Sequence, residues 1–252
     1  SGDLEDNMKI HIKDIEKVRN IIKSKDWCGK VQVIESNKNN GLANSIIKGV
    51  TETVNQYGRA IVLEDDLILS NSFLHYMNKA LTLYENESKV IHIAGFTNPV
   101  KTKLPETFFF PVPTCWGWAT WKDAWDNFNP DANYLLNKVF QRRKEFDFNG
   151  SINYIRMLKR NVEGRVDSWF IRWYASVFLN NGLCLHPEKT LVKNIGLDRS
   201  GINSYRSNIF DTETADHVNV EKIPLKFSEK AIKAYIKFNW KVKLFHLPEY
   251  LY

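Results

Sequence analysis

Apolar residues at Ile12, Ile15, Val18, Ile21 and Ile22 follow the three- and four-residue spacing of a helix with one apolar face, predicting a helix over 10–23. Val31-Gln32-Val33-Ile34 then reads as a short strand and Asn37 to Asn40 as a turn. The pattern from Leu42 to Val54 predicts a second helix, stopped by Tyr57-Gly58. Ala60-Ile61-Val62-Leu63 is apolar on both faces, the mark of a buried parallel strand. A helix capped near Ser70 to Ser72 places Phe73, Leu74, Met77, Leu81 and Tyr84 on one face, and Val90 to Ile93 predicts another strand. Helices alternating with strands define an α/β chain. From Phe108 to Trp121 the texture becomes aromatic, punctuated by Pro and Gly. Helices are expected over 132–143 and 152–161. Asp167 opens an apolar helix from Trp169 to Leu179, which Gly182 is expected to end as a left-handed cap. A strand over 183–185, a polar loop over 193–203 and a basic tail complete the order, with no internal repeat.

Composition narrows this picture. With 252 residues, 43% hydrophobic and 25% charged, the chain can bury a sizeable core and is neither disordered, collagen-like nor a small disulfide scaffold. No segment approaches the ~18 uninterrupted apolar residues of a spanning helix; the richest, Trp169 to Leu179, is broken by Arg172. The first residues show no basic flank before an apolar run, so no secretory signal is visible. Cys28, Cys115 and Cys184 are odd in number and widely spaced, which argues against a disulfide framework or zinc site and for a reducing, cytoplasmic compartment.

Lys plus Arg exceed Asp plus Glu by 35 to 29, a net charge of +6 that favours anionic partners. From Lys222 to Lys243 lie seven lysines against one glutamate, interleaved with Phe227, Tyr235, Phe238 and Trp240. Two readings stay open for this 221–252 tail: a basic amphipathic segment resting on an anionic membrane at its inner face, or a helix whose lysines are merely solvated. Nucleic acid is not an expected partner, because the lysines gather in the tail instead of alternating with aromatics along a recognition surface. The usual phosphate-loop, zinc-protease and serine-hydrolase signatures do not occur. His75, His92 and His186 show no ligand spacing.

Three adjacent carboxylates, Glu64-Asp65-Asp66, follow the strand Ala60 to Leu63. Like charges in contact resist joint ionisation, so a cation is called for. A hard divalent ion, Mg2+ or Mn2+, binds through one or two carboxylates plus substrate phosphates. Strand alternation sends Glu64 and Asp66 to one side and Asp65 to the other. The plainer alternative is a solvated acidic turn. The position favours a ligand, since open α/β sheets bind beyond the carboxyl ends of their strands.

Val62-Leu63-Glu64-Asp65-Asp66-Leu67 resembles the acidic metal motif of GT-A fold nucleotide-sugar glycosyltransferases, of the bacterial family-2-like and N-acetylglucosaminyltransferase I types. Asn39-Asn40-Gly41-Leu42 resembles the segment those enzymes place before the metal strand. Trp116-Gly117-Trp118 with Trp121 resembles their aromatic glycine-containing loop, Asp167-Ser168-Trp169 their Asp-x-Trp helix start, and Pro187 to Gly196 a closing loop. The set covers roughly residues 10 to 205 in order.

The resemblance implies a Rossmann-like, open, mostly parallel central sheet flanked by helices. The catalytic domain would span 1–220, with a nucleotide-binding half over about 1–100 and an acceptor half over about 101–220. Against the family pattern, the chain opens directly in what looks like the helix after the first strand-helix-strand unit. The implied activity is an inverting, Mn2+- or Mg2+-dependent transfer of a sugar from a nucleoside-diphosphate sugar to a glycan or lipid-linked acceptor. In that scheme Asp66 ligates the metal. Glu64 and Asp65 contact ribose or donor sugar, Asn40 and Gly41 serve the nucleotide sugar, and Arg199 pairs with the diphosphate in a loop with Asn194 and Asp198. Asp167 is the implied general base, whereas position alone favours a helix N-cap. Trp116, Trp118, Trp121 and Trp169 are candidates for the acceptor or sugar pocket, with core packing equally open for the first three and favoured for Trp169. A noncatalytic nucleotide-sugar or carbohydrate-binding module derived from such an enzyme is the alternative. A glycoside hydrolase would need a second carboxylate set apart from the first three, a role open to Asp167.

Overall fold

The computed structural model describes residues 2–196, 209–210 and 212–245, and side chains within 13–244. The chain divides into two units, Ser1–Gly41 and Leu42–Tyr252. The first is helix α1 (Gly2–Lys23) followed by irregular chain. Arg19 and Lys23 both pair with Glu35, and Trp27 Nε1 donates to the Ile22 carbonyl at 2.8 Å. Val31 to Ile34 does not form the expected strand: a strand needs a ladder neighbour, and no second strand lies in this unit among the described residues. Ile15, Val18, Ile21, Val31, Val33 and Ile34 are all exposed.

In the second unit α2 (Leu42–Tyr57) ends at Gly58, whose φ of +77° supplies the left-handed stop that a side chain would resist. The chain continues through β1 (Arg59–Val62), β2 (Leu67–Leu69), α3 (Phe73–Leu83), β3 (Val90–Ala94), β4 (Thr107–Phe110), β5 (Trp118–Trp121) and α4 (Lys122–Trp125). Then follow α5 (Ala132–Val139), a single 3-10 turn over Phe140–Arg142, α6 (Arg143–Phe146), α7 (Tyr154–Val162), α8 (Trp169–Leu179), β6 (Leu183–Pro187), β7 (Val192–Asn194) and α9 (Glu229–Phe245).

The five-stranded sheet has the order β1-β5-β3-β6-β4. Only β3 and β6 pair in parallel; β1 with β5, β3 with β5, and β4 with β6 are antiparallel. The α/β class therefore holds while the expected mostly parallel sheet does not. The reversed strands β4 and β5 both come from the aromatic stretch, which enters the sheet instead of forming a loop. β1 is correspondingly an edge strand in this sheet, with Arg59 exposed and Ile61 and Val62 half-buried. Strands β1, β3 and β6 nevertheless point the same way, so their carboxyl ends share one edge with the amino ends of β5 and β4.

Two apolar clusters flank this sheet. Alternation along β4 sends Phe109 into one and Phe108 and Phe110 into the other. Helix α8 is apolar nearly all round because it serves both, with Trp169, Trp173 and Val177 in the first and Ile171, Tyr174, Ala175 and Phe178 in the second. The basic segment of the tail is α9, whose Ala231, Ala234 and Tyr235 are buried in the second cluster. Gly182 is not a left-handed cap: Asn181 takes that conformation with φ +48°, and Gly182 is small because an added Cβ would stand 2.0 Å from Ile91 Cδ1.

Candidate functional site

The acidic turn is held by a two-stranded ribbon. β2 pairs antiparallel with β7, setting Leu67 opposite Asn194, and beyond it Ile195 N donates to the Asp66 carbonyl at 2.9 Å. Asn194 Nδ2 donates to Asp66 Oδ2 at 3.2 Å, while Asn194 Oδ1 accepts from Gly196 N at 2.8 Å. Gly196 is a necessity of packing, since a Cβ there would lie 2.3 Å from Asp66 Oδ2. The other carboxylate oxygen, Asp66 Oδ1, is buried and has no hydrogen-bond partner among the described residues. Burial, then Asp66, then Asp65 raise the Glu64 pKa to about 7. Asp65 is exposed.

The second unit also holds an aromatic cavity of about 230 Å3, which none of Glu64, Asp65 and Asp66 lines. Its walls include Phe96 and Asn98 after β3, Thr114 to Trp116 before β5, Phe170 in the first turn of α8, and Tyr235 and Phe238 of α9. Cys115 links turn and cavity: its thiol pKa is pushed up to about 12, first by burial and next by Glu64. One cavity-lining residue, Thr114, carries a buried hydroxyl without a partner among the described residues. His186 Nε2 lies 2.9 Å from the Val112 carbonyl, and the Phe96 backbone also hydrogen-bonds this ring. Burial lowers the His186 pKa to about 4, so the ring is neutral. No charged side chain is among the described residues lining the cavity.

Of the four tryptophans expected to wall a pocket, only Trp116 does. Its ring meets Phe96 edge-on at 4.5 Å. Trp118 is fully buried, stacked between His92 and Trp169 at 5.2 and 5.3 Å, so Trp118 and Trp169 are core residues. Trp121 is also buried, and its Nε1 donates to the Leu81 carbonyl at 3.2 Å. The intervening Gly117 is required twice over, by a φ of +63° and by Val192 and Phe73 standing 2.9 and 3.0 Å from where its Cβ would be.

Asp167 is exposed, and its Oδ1 accepts from Arg172 at 2.7 Å. It is not the N-cap of α8: Ser168 fills that position, its side chain accepting from Ile171 N. Asp167 does not line the cavity, although Phe170 three residues on does. Asn40 and Gly41 belong to the first unit, where Gly41 N donates to Asn39 Oδ1 at 2.8 Å and φ is +77°. Arg199 and Asp198 lie outside the described residues. Phe96, Phe170, Phe210 and His186 were not among the expected site residues; they read as core in a linear sequence and meet only through the sheet order.

The residues at the turn fit a divalent cation of one kind. A buried carboxylate oxygen without a partner is a hard, anionic donor suited to Mg2+ or Mn2+. Among the described residues no group of three His, Cys, Asp or Glu could form an all-protein cage, so such an ion would take most of its ligands from phosphate and water. The chain matches no known protein family when compared with family descriptions, and no curated protein matches it either.

Proposed function

We propose that this chain is a metal-dependent glycosyltransferase of GT-A type that moves a sugar from a nucleoside-diphosphate sugar to a hydroxyl of a glycan or lipid-linked acceptor with inversion. The observation that carries the reading is the buried Asp66 Oδ1 in the turn after β1, which no described residue meets. Asp66 would hold the Mg2+ or Mn2+, with Asn194 and Gly196 fixing its carboxylate. When bound, the ion supplies neutralisation of the charge that develops on the departing nucleoside diphosphate.

The remaining work falls to side chains. Glu64 and Asp65 orient donor hydroxyls by accepting hydrogen bonds. Trp116 and Phe96 offer aromatic surface for an acceptor sugar, while the Thr114 hydroxyl suits sugar hydroxyls better than charged groups. As the acceptor oxygen bonds to the anomeric carbon and the carbon–diphosphate bond breaks, Asp167 takes the hydroxyl proton. A second reading, a noncatalytic binding module, draws on one observation: Asp167 is already engaged by Arg172 and sits outside the cavity lining.

A panel of nucleoside-diphosphate sugars with Mn2+, assayed for both donor binding and sugar transfer, separates these readings. The transferase account expects metal-dependent binding and transfer, lost with Asp66→Asn. Binding without transfer to any acceptor would favour the module, and no binding to any donor would remove both.

A further inference from the structure

The outer face of α9 carries a charge pattern that neither the core nor the candidate site uses. Its inner side is spent, since Ala231, Ala234, Tyr235 and Val242 are buried. At 100° per residue, Lys230, Lys233, Lys237 and Lys241 fall within about 80° of arc. All four are exposed, and none has an ion pair among the described residues. They form a straight row about 16 Å long. Trp240, 40% exposed, and Leu244, 67% exposed, flank the same arc at the carboxyl-terminal end. The ammonium of Lys243 sits 4.9 Å from the Trp240 ring centre. The one acidic residue of the helix, Glu229, is at its first turn.

We infer that this face docks on an anionic phospholipid surface. The row is complementary to a plane of negative headgroups, and an exposed Trp with a neighbouring Leu is the pair that settles at a bilayer interface. All the cations are lysines, strongly hydrated point charges; arginine, which forks onto phosphate and stacks on bases, is absent from the helix. That favours lipid over nucleic acid. The helix lies along the surface and does not enter it with its broad apolar face, which the protein core already covers. No described helix is long and apolar enough to cross a membrane. Because the inner face of α9 also lines the aromatic cavity with Tyr235, Phe238 and Asn239, docking sets that cavity within about one helix diameter, ~10 Å, of the headgroups. On the function proposed above, this suits a lipid-linked acceptor.

The test is flotation of the full chain with vesicles of phosphatidylcholine alone and of phosphatidylcholine mixed with phosphatidylglycerol. Binding is expected only to the mixed vesicles and is expected to weaken with salt. Each lysine near an anionic surface contributes roughly a five-fold gain. Replacing Lys230, Lys233, Lys237 and Lys241 with Gln should therefore cost on the order of 100-fold or more, while replacing all four with Arg should preserve binding. The Arg variant shows that a loss reflects charge and not folding. Equal binding to both vesicle types, or full binding by the Gln variant, overturns the inference. So does tighter lysine-dependent binding to duplex DNA than to mixed vesicles. No nucleotide, sugar or metal enters the assay, so its outcome is separate from that of the proposed function.

Discussion

Two carboxylate sites in the second unit obey opposite rules. At the turn after β1, Asp66 presents one oxygen to Asn194 and keeps the other buried without a partner, with Glu64 pushed towards neutrality beside it. At the start of α8, Asp167 is 60% exposed and already paired with Arg172, itself only 12% exposed. A buried polar atom without a partner is costly unless something compensates it, whereas an exposed pair is self-sufficient and contributes little. The first site therefore keeps one oxygen that no described residue meets. The second is complete as it stands and reaches a catalytic role only by releasing its arginine.

The comparison breaks first at Asp66. Asp66→Asn should abolish any Mn2+-dependent thermal shift by a nucleoside-diphosphate sugar, and should leave the ligand-free protein at least as stable because it relieves crowding. A lower melting temperature without ligand would show that the carboxylate serves the fold. Asp167→Asn sharpens the contrast: donor binding should persist while transfer falls at least 100-fold, measured as product released per unit time. Normal transfer by this variant would reduce Asp167 to its ion pair.

Acidification brings in a third, unrelated group. His186 is buried and neutral with a pKa near 4, below the ordinary 6.5, so the unfolded chain binds the proton first as pH falls. Its share of stability is complete above about pH 6.5 and is lost as pH falls towards 4. The difference in unfolding free energy between wild type and His186→Gln should thus shrink by about 3 kcal/mol between pH 7 and 4, read by denaturant titration. A difference independent of pH would mean that the ring takes up its proton as readily in the folded chain as in the unfolded one. The smallest effect separates cap from base: Ser168→Ala should cost about 1 kcal/mol, and Asp167→Ala less. The reverse order would return the cap to Asp167.

Much of this contrast is legible along the chain, and the gaps have physical causes. The acidic turn stands out because three contiguous charges after Ile-Val-Leu are costly in any fold. Asn194 and Gly196 could be singled out too, although only the β2–β7 ribbon reveals that they clasp Asp66. β4 and β5 were hidden because Phe108 to Phe110 and Trp118 to Trp121 are buried on both faces, and no period-2 pattern marks such strands. Missing them made the sheet look mostly parallel. The same blindness left Trp116, Trp118 and Trp121 equally open to core and pocket, when burial assigns Trp118 and Trp121 to the core with Trp169 and leaves Trp116 at the cavity. At α8, adjacent Asp and Ser both cap helices well, and only the hydrogen bond from Ile171 N distinguishes them.

The metal role proposed for Asp66 is tested most directly by electron paramagnetic resonance of Mn2+ titrated with the protein in the presence of a nucleoside diphosphate. The account predicts that wild-type protein broadens the signal beyond that of the manganese–nucleotide complex alone and that Asp66→Asn does not. A spectrum indifferent to the protein, or an equal change with Asp66→Asn, would contradict it.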